Sequence, residues 1–568
     1  MSVKNSRLLD DTLLILTMAV LAGCGLIYEY LLSHYAGRVL GVMESTIYTM
    51  IGLMIVSMGL GAFAARKVRC AFNGFVYLEL IIALLGASAI LIIGGLIALT
   101  QLLPTIIADT FALPPDVLPK GGLFKQLHFL AFNSPYFFGV ILGFFIGMEI
   151  PLIARIREQI HGQHLANNLG TIYGADYIGA GIGAAIWVLF LLTLDISKAA
   201  ALTASLNLIA GSFFIFRYWH KLLWRKTFAS LHVVFAFIIL LLFNYGNQWL
   251  NQMNSLLYLD KVVHSQKTRY QQLTFTERHM GIHSTLAQKS ILNFYLNGRL
   301  QFSSLDEHIY HDYLVAPVMA GSARNNNILI IGGGDGLALR DVLKYSPTHV
   351  TLIDLDNELI DIFQTPTKHL PLGLAKQIAQ LNQGSLQDKR VNIKRADAFI
   401  AINDLLNAGQ VFDAIIVDLP DPSHPDLNKL YSVNFYARLK QLLSGDGLIA
   451  IQSTSPYHAK NSFISIGKTL SAAHYVHVQQ YHDNVPSFGE WGWTIAAKMG
   501  ASPLTRLKKL DKLPIEHRWL NLASLKAAFA FPKGFYRDKE HIAINVLGSH
   551  TIYKLHQQAW QDQLGLIE

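Results

Sequence analysis

The chain has 568 residues, of which 52% are hydrophobic and 15% charged, with mean hydropathy +0.33; that excludes a disordered or uniformly solvated polypeptide and leaves room for several domains. Only Cys24 and Cys70 are present, too few for a disulfide framework or a thiolate metal site. The formal charge of +8 does not point to nucleic acid, because the basic residues of the first half gather in particular loops, Arg66, Lys67 and Arg69 in one and Arg217, Lys221, Arg225 and Lys226 in another.

Seven apolar runs precede residue 247, each near the roughly 20 residues needed to cross a bilayer: about Leu13 to Leu32, Thr46 to Ala65, Phe75 to Thr100, Leu130 to Ala154, Gly170 to Leu194, Ala199 to Phe216 and Phe228 to Tyr245. Residues 1–247 are therefore expected to form a polytopic all-α membrane domain, with the lipid bilayer as partner and the cell (inner) membrane as its location. A cleaved signal peptide is not expected, since the first run is too long and others follow it. Glu29, Glu149 and Asp176 lie inside these runs, where acids are costly. Consecutive helices would bring Glu149 and Asp176 to the same leaflet, which makes them a candidate vestibule for a cation. Gly139, Gly143 and Gly147 recur every four residues, as do the pairs Gly170/Gly174 and Gly179/Gly183; this spacing predicts close helix packing.

Residues 248–325 read as short alternating segments such as Leu273-Thr274-Phe275-Thr276 and Phe294-Tyr295-Leu296, with Asn297-Gly298 as a turn, and predict a small β-rich subdomain. From 326 to 568 strands alternate with helical stretches, the clearest strands being Asn327 to Ile331, Val350 to Ile353, Val391 to Lys394, Ala414 to Val417 and Leu448 to Ile451. That rhythm predicts a doubly wound parallel sheet of Rossmann, methyltransferase-like type.

Two acidic loops follow strands of this sheet: Gly332-Gly333-Gly334-Asp335-Gly336 and Asp418-Leu419-Pro420-Asp421-Pro422. Ligands of open α/β sheets bind at the carboxyl ends of the strands, so both loops should face one crevice. An acid-lined crevice suits a cationic nucleotide and a cationic second substrate better than a polyphosphate, and the glycine loop lacks the Lys-Ser/Thr ending of a phosphate-gripping loop. Asp354 ends the second strand about 20 residues further on, where nucleotide folds place an acid on ribose hydroxyls, with Asp356 competing for that role.

Asn327 to Lys344 (NILIIGGGDGLALRDVLK), Gln301 to His311 (QFSSLDEHIYH) and Phe412 to Pro422 (FDAIIVDLPDP) resemble the polyamine aminopropyltransferases, the spermidine synthase family, over about residues 258 to 540. With the preceding spans the chain resembles the membrane-fused branch of that family. The resemblance implies decarboxylated S-adenosylmethionine as co-substrate, no other cofactor and no metal. It further implies that Asp335 holds the donor's aminopropyl ammonium, Asp354 the ribose, Asp397 the adenine amino group, and Gln271 the wall near the sulfonium. Asp418 would orient the acceptor amine and take its proton with help from Tyr310, while His311 and Asp421 fix the acceptor chain. Where the family often carries an acid for the acceptor's far ammonium, this chain has Thr454, and Phe488 stands where tyrosine is usual. Putrescine is the default acceptor; homodimerisation is left open.

Two other readings remain at this point: an S-adenosylmethionine-dependent methyltransferase, and a membrane polyamine transporter or sensor whose soluble half only binds. Topology is in conflict with itself. With the amino terminus inside, the inner flanks carry eleven Lys/Arg (Lys4, Arg7, Arg66, Lys67, Arg69, Arg155, Arg157, Arg217, Lys221, Arg225, Lys226) and the outer loops four (Arg38, Lys120, Lys125, Lys198). Seven crossings would then put the catalytic half outside, whereas a cytosolic donor requires it inside. The expectation is a cytoplasmic catalytic half and one miscounted span.

Overall fold

The computed structural model describes residues 3–40, 43–111, 122–161, 168–256, 258, 260–279 and 290–563. Contacts divide it between Leu259 and Asp260 into two compact units. The division expected at 247 falls inside the last helix of the first unit, which continues to Ser255.

The first unit contains α1 (Val3–Leu40), α2 (Met43–Ala64), α3 (Ala71–Thr110), α4 (Leu123–Ile146), α5 (Glu149–His161), α6 (Asn168–Leu189), α7 (Ile196–Arg217) and α8 (Arg225–Ser255). Seven stretches are long and apolar enough to cross a membrane, α4 and α5 together counting as one, Leu123–His161. The single run expected there is broken at Gly147-Met148. The cause is Pro151, which has no N–H to give the carbonyl of residue 147 and whose ring would clash with it, so a new helix starts with the proline in its first turn.

Glycine spacing translates into packing for two of the three stripes. Gly143 and Gly147 press against the backbone of Met54 and Met58 on α2, where a Cβ on Gly143 would stand 2.9 Å from the Met54 carbonyl oxygen. Gly179 and Gly183 likewise meet Ala19 and Gly23 of α1. Gly170 and Gly174 have nothing within 4 Å of such a Cβ, so the expectation fails for that pair. At one end of the bundle Arg155 donates to the carbonyls of Ala65 and Val68 at 3.2 and 2.8 Å, Arg157 pairs with Asp11, and Arg217 with Asp10 at 2.6 Å. The later part of α8 lies elsewhere, against the second half of α3 and the end of α1: a Cβ on Gly94 would be 3.0 Å from both Leu250 Cδ1 and Tyr35 Oη.

In the second unit β1 (Lys261–Lys267), β2 (Gln272–His279), β3 (Ser290–Leu296) and β4 (Arg299–Ser303) form an antiparallel sheet in that order. Asn297 and Gly298 both have positive φ, 50° and 81°, the geometry of a two-residue hairpin turn. α9 (Glu307–Gly321) then leads into a sheet built from β5 (Asn327–Gly332), β6 (His349–Asp354), β7 (Val391–Arg395), β8 (Phe412–Asp418), β9 (Leu443–Gln452), β10 (Val476–Val485) and β11 (Gly489–Ala497), with α10 (Leu337–Leu343) after β5 and α11 (Asn357–Gln364) after β6. Its order is β10-β11-β9-β8-β5-β6-β7. The five strands β5 to β9 pair in parallel, but β11 pairs antiparallel with both β9 and β10. The sheet is therefore mixed rather than wholly parallel, because the last two strands form a hairpin closed at Pro486–Phe488, which needs no crossover helix.

The small sheet is not a separate core. Phe275, Phe294 and Phe302 stand with ring centroids 6.0, 5.3 and 6.1 Å from that of Phe363 on α11, and all four belong to one buried cluster with Ile328, Ile330 and Leu352. Strand order, not direction, reverses at the parallel β5/β8 pair, since the chain builds outward through β6 and β7 and then returns to the other flank. In open α/β sheets such a point, at the carboxyl ends of the strands, is where ligands bind.

Candidate active site

Parallel register sets Gly332 beside Asp418 and Ile331 beside Ile353, so the glycine loop, Asp354 and Asp418 emerge side by side. Gly332 has φ +80° and its α-carbon faces the Asp418 carbonyl so closely that no Cβ fits, which is why the loop opens with glycine. Gly333 N–H donates to the Asp418 carbonyl at 3.1 Å and Gly334 N–H to Asp354 Oδ2 at 3.0 Å. The two acidic loops are thus fastened to one another through Gly333 and Asp418.

α9 supplies the next layer. Tyr310, 8% exposed, donates its hydroxyl to Asp418 Oδ1 at 2.7 Å. Burial, then the Asp418 charge, push the phenol well above its usual range, so it remains a donor. Asp418 is half-buried, and burial raises its carboxyl although His311 and the Tyr310 hydrogen bond pull it down. Asp335 is raised to about 6 by burial and by Asp418. Asp354 is also raised to about 6 by burial, against the N–H groups of Asp356 and Gly334.

His311 is fixed from within its own helix, beside Tyr310, with ring centroids 5.0 Å apart. Its Nδ1 lies 2.7 Å from the Glu307 carbonyl and 3.0 Å from Glu307 Oε2, one helical turn back. Burial opposes its charge, but Glu307, Asp418 and Asp335 together raise it to about 9, which favours the imidazolium beside these carboxylates. Glu307 is itself clamped by Arg340, at 2.9 and 3.0 Å, and Arg340 by Asp341 at 3.0 and 2.9 Å. Against its burial, His311 and Arg340 hold Glu307 down at about 2. Neither Glu307 nor Arg340 is among the site residues expected from the sequence; the Glu307/His311 spacing of four on a helix was the available signal.

On the donor side, Asp356 is committed elsewhere: it caps α11 by accepting from Leu359 N–H at 3.3 Å and also accepts from Thr268 Oγ1 and Gln271 Nε2 at 2.7 and 2.9 Å. Asp354 also accepts at both oxygens, from the N–H groups of Gly334 and Asp356 at 3.0 Å each, so both acids at the end of β6 are held in place and Gln271 is tied to the second of them. Asp397 caps the helix Ala398–Asn407 through Phe399 N–H at 2.8 Å, and its other oxygen meets Lys429 Nζ at 2.6 Å. Both its oxygens are therefore engaged.

Two of the residues expected at the acceptor, Asp421 and Thr454, belong to a separate hydrogen-bonded chain. Asp421 Oδ1 accepts from Gln452 Nε2 at 3.0 Å and Oδ2 lies 3.3 Å from His556 Nε2. Burial opposes its ionisation, but His556, Gln452 and Arg299 lower its carboxyl below the usual range. Gln452 also donates to the Leu419 carbonyl at 2.9 Å and accepts from Thr454 N–H at 2.6 Å. Thr454 is 1% exposed with φ +61°, a strained conformation for a β-branched residue and one that clusters at functional sites. Its backbone links it to Asp421. Phe488 stands with its ring centroid 6.0 Å from that of Tyr310, and the neighbouring Ser487 binds Asp306 through N–H and hydroxyl at 2.6 and 2.9 Å. His556, on the terminal helix Thr551–Gln563, carries no motif that sequence reasoning could have used.

Residues 307–509 match the family model described as the spermine/spermidine synthase domain. The chain is 57% identical over 567 residues to the polyamine aminopropyltransferase of Shewanella oneidensis, covering 100% of this chain and 98% of that one. It is 32% identical to polyamine aminopropyltransferase 1 of Streptomyces coelicolor, covering 97% and 95% respectively. A crystal structure of spermidine synthase in complex with the transition state analogue AdoDATO matches 50% of this chain and 90% of that one, at 24% identity and a TM-score of 0.41.

Proposed function

Because this chain belongs to the polyamine aminopropyltransferases and transfers aminopropyl groups, we propose that its donor is decarboxylated S-adenosylmethionine and its acceptor putrescine, giving spermidine and methylthioadenosine. Family membership sets aside the methyltransferase and binding-only readings. The observation that supports the assignment of roles is the Tyr310–Asp418 hydrogen bond at the edge of a crevice that also holds Asp335.

A primary amine has an unperturbed pKa near 10 and is protonated at neutral pH, so it must lose a proton to attack. Asp418 collects the ammonium and, with its carboxyl raised by burial, is a better proton acceptor than a solvated carboxylate. Tyr310 holds its Oδ1 and leaves the other oxygen for the amine. The amine nitrogen bonds to the aminopropyl carbon as the C–S bond breaks, the bonding pair going to sulfur and the proton to Asp418. Sulfur leaves as a neutral thioether, so alignment and deprotonation account for the chemistry. Asp335 and Asp354 bind donor ammonium and ribose, Gln271 and Asp397 complete the donor wall, and Asp421 with Thr454 frames the acceptor. His311 adds a positive charge beside Asp335 and Asp418.

The test is incubation of purified protein with the donor and a panel of amines, read by mass spectrometry. Putrescine should be converted fastest, but with modest preference over cadaverine and diaminopropane, because Thr454 brings no charge and Asp421 is already held by His556 and Gln452. Turnover confined to another amine would reassign the acceptor.

The helical unit is proposed to lie in the cell membrane. Its support is an outward surface rich in large apolar side chains, among them Val56, Phe63, Phe216 and Val233 at 65%, 71%, 83% and 71% exposure. The catalytic unit is proposed to be cytoplasmic, because an enzyme separated from its donor has no reaction to perform, whereas the charge rule is only a bias. Protease added to inverted vesicles should cut the catalytic unit, and protease added to intact spheroplasts should not; the reverse pattern overturns this orientation.

A further inference from the structure

Beside the expected Asp176, which is half-buried on α6, the interior of the helical unit sets a second and fully buried carboxylate with Glu149, Glu79 of α3. Glu79 is 0% exposed and Glu149 1%, and the two interact electrostatically. Each keeps one oxygen, Glu79 Oε1 and Glu149 Oε2, buried with no hydrogen-bond partner. Among the described residues no lysine or arginine pairs with either.

Three further side chains converge on Glu79. Tyr28 of α1 donates to Asn207 Oδ1 at 3.2 Å, and Asn207 of α7 donates to Glu79 Oε2 at 3.0 Å, so both bonds in this relay run towards the carboxylate. His232 of α8, 5% exposed, places Nδ1 2.9 Å from the Phe228 carbonyl. A carbonyl only accepts, so Nδ1 carries the hydrogen, and in the neutral ring Nε2 is a bare acceptor. That Nε2 also lacks a partner. Gly211 brings it to Glu79: a Cβ there would stand 2.6 Å from His232 Nε2 and 3.4 Å from Glu79 Cβ.

The interior thus presents two carboxylate oxygens and an imidazole nitrogen that can accept and have nothing to accept from. Unpaired acceptors in an apolar bundle are costly, and the group that satisfies them has several N–H donors, no acceptor and a positive charge. An alkylammonium has that description. A bare metal ion is less well served, since no group of three His, Cys, Asp or Glu side chains among the described residues is arranged to hold one.

We propose that the helical unit binds the ammonium end of a polyamine between Glu79, Glu149 and His232. The choice of a polyamine among alkylammonium ions rests on the function proposed above; the acceptor set itself does not. The site would give the membrane half a ligand of the same chemical class as the catalytic half, and so a means of sensing or admitting it.

The experiment is equilibrium binding of tritiated spermidine to the full-length protein in lipid nanodiscs. Asp335→Asn/Asp418→Asn, which removes the two central carboxylates of the crevice, should still bind about one equivalent. Adding Glu79→Gln/Glu149→Gln to it should weaken that binding at least about 10-fold, whereas Glu79→Gln/Glu149→Gln alone should still produce aminopropylated amine by mass spectrometry. If the quadruple variant does not yield folded protein, Glu149→Gln alone replaces the pair in the same comparison. Absence of spermidine binding in the crevice variant, or binding unchanged by the glutamate substitutions, overturns the proposal and leaves these acids as structural groups. Failure of the functional reading is separately visible, as wild-type protein that binds spermidine yet makes none.

Discussion

Asp418→Asn is expected to lower turnover by at least about 100-fold while donor affinity changes little. Asparagine keeps an oxygen for the Tyr310 hydroxyl, which now sits 2.7 Å from Oδ1, and the backbone bond from Gly333 N–H to the residue's carbonyl is untouched, so the crevice keeps its shape. What disappears is what an amide cannot supply, the negative charge that collects the ammonium and the acceptance of its proton as the amine attacks. Steady-state kinetics by product mass spectrometry, beside calorimetric titration with the donor, separates the two effects. Turnover near that of the wild type would remove Asp418 from the role of base.

Discrimination between decarboxylated and intact S-adenosylmethionine is the second large effect. Asp335 attracts an ammonium at the end of the propyl chain and repels a carboxylate beside it, so the decarboxylated donor should bind more tightly and Asp335→Asn should shrink the preference. The pH dependence follows from the two donor-side carboxyls, both raised to about 6. The donor's ammonium stays charged throughout, whereas Asp335 and Asp354 are ionised above about 6 and protonated below it; affinity should therefore be full near pH 8 and fall as pH drops through 6. In Asp335→Asn the remaining dependence should come from Asp354 alone. Equal affinity for the two donors in the wild type, or a profile flat from pH 8 to 5, would contradict the assignment.

Much of the catalytic half is legible because its signals are local. Ile328 to Ile331 and Ala414 to Val417 are uninterrupted apolar runs that end in glycine or aspartate, and buried parallel strands have to read that way. Tyr310 and Asp418 are 108 positions apart, yet each sits in a motif that fixes its place at the end of an element. Where the reading fails, the cause is non-local. The position of His311 depends on the Arg340–Glu307 clamp on a neighbouring helix, and Gln452 and His556 meet Asp421 only because strand and terminal helix return to it. β10 and β11 form an antiparallel edge whose direction is set by a hairpin turn that the apolar pattern does not encode. In the helical unit Glu79 lies within a long apolar run, and only the packing of α3 brings it to Glu149 alongside Asp176.

The ring cluster of Phe275, Phe294, Phe302 and Phe363 has a consequence for how the catalytic unit gains and loses its structure. Because strands before residue 304 and a helix after residue 356 bury the same aromatic surface, neither part can open without exposing the interior of the other. The two parts are then one cooperative foldon, with amide protons in both exchanging through a shared global opening. Closing it requires contacts across long stretches of chain, which slows the search. Gln271 and Tyr310 therefore reach their places at the crevice only when the whole unit has formed.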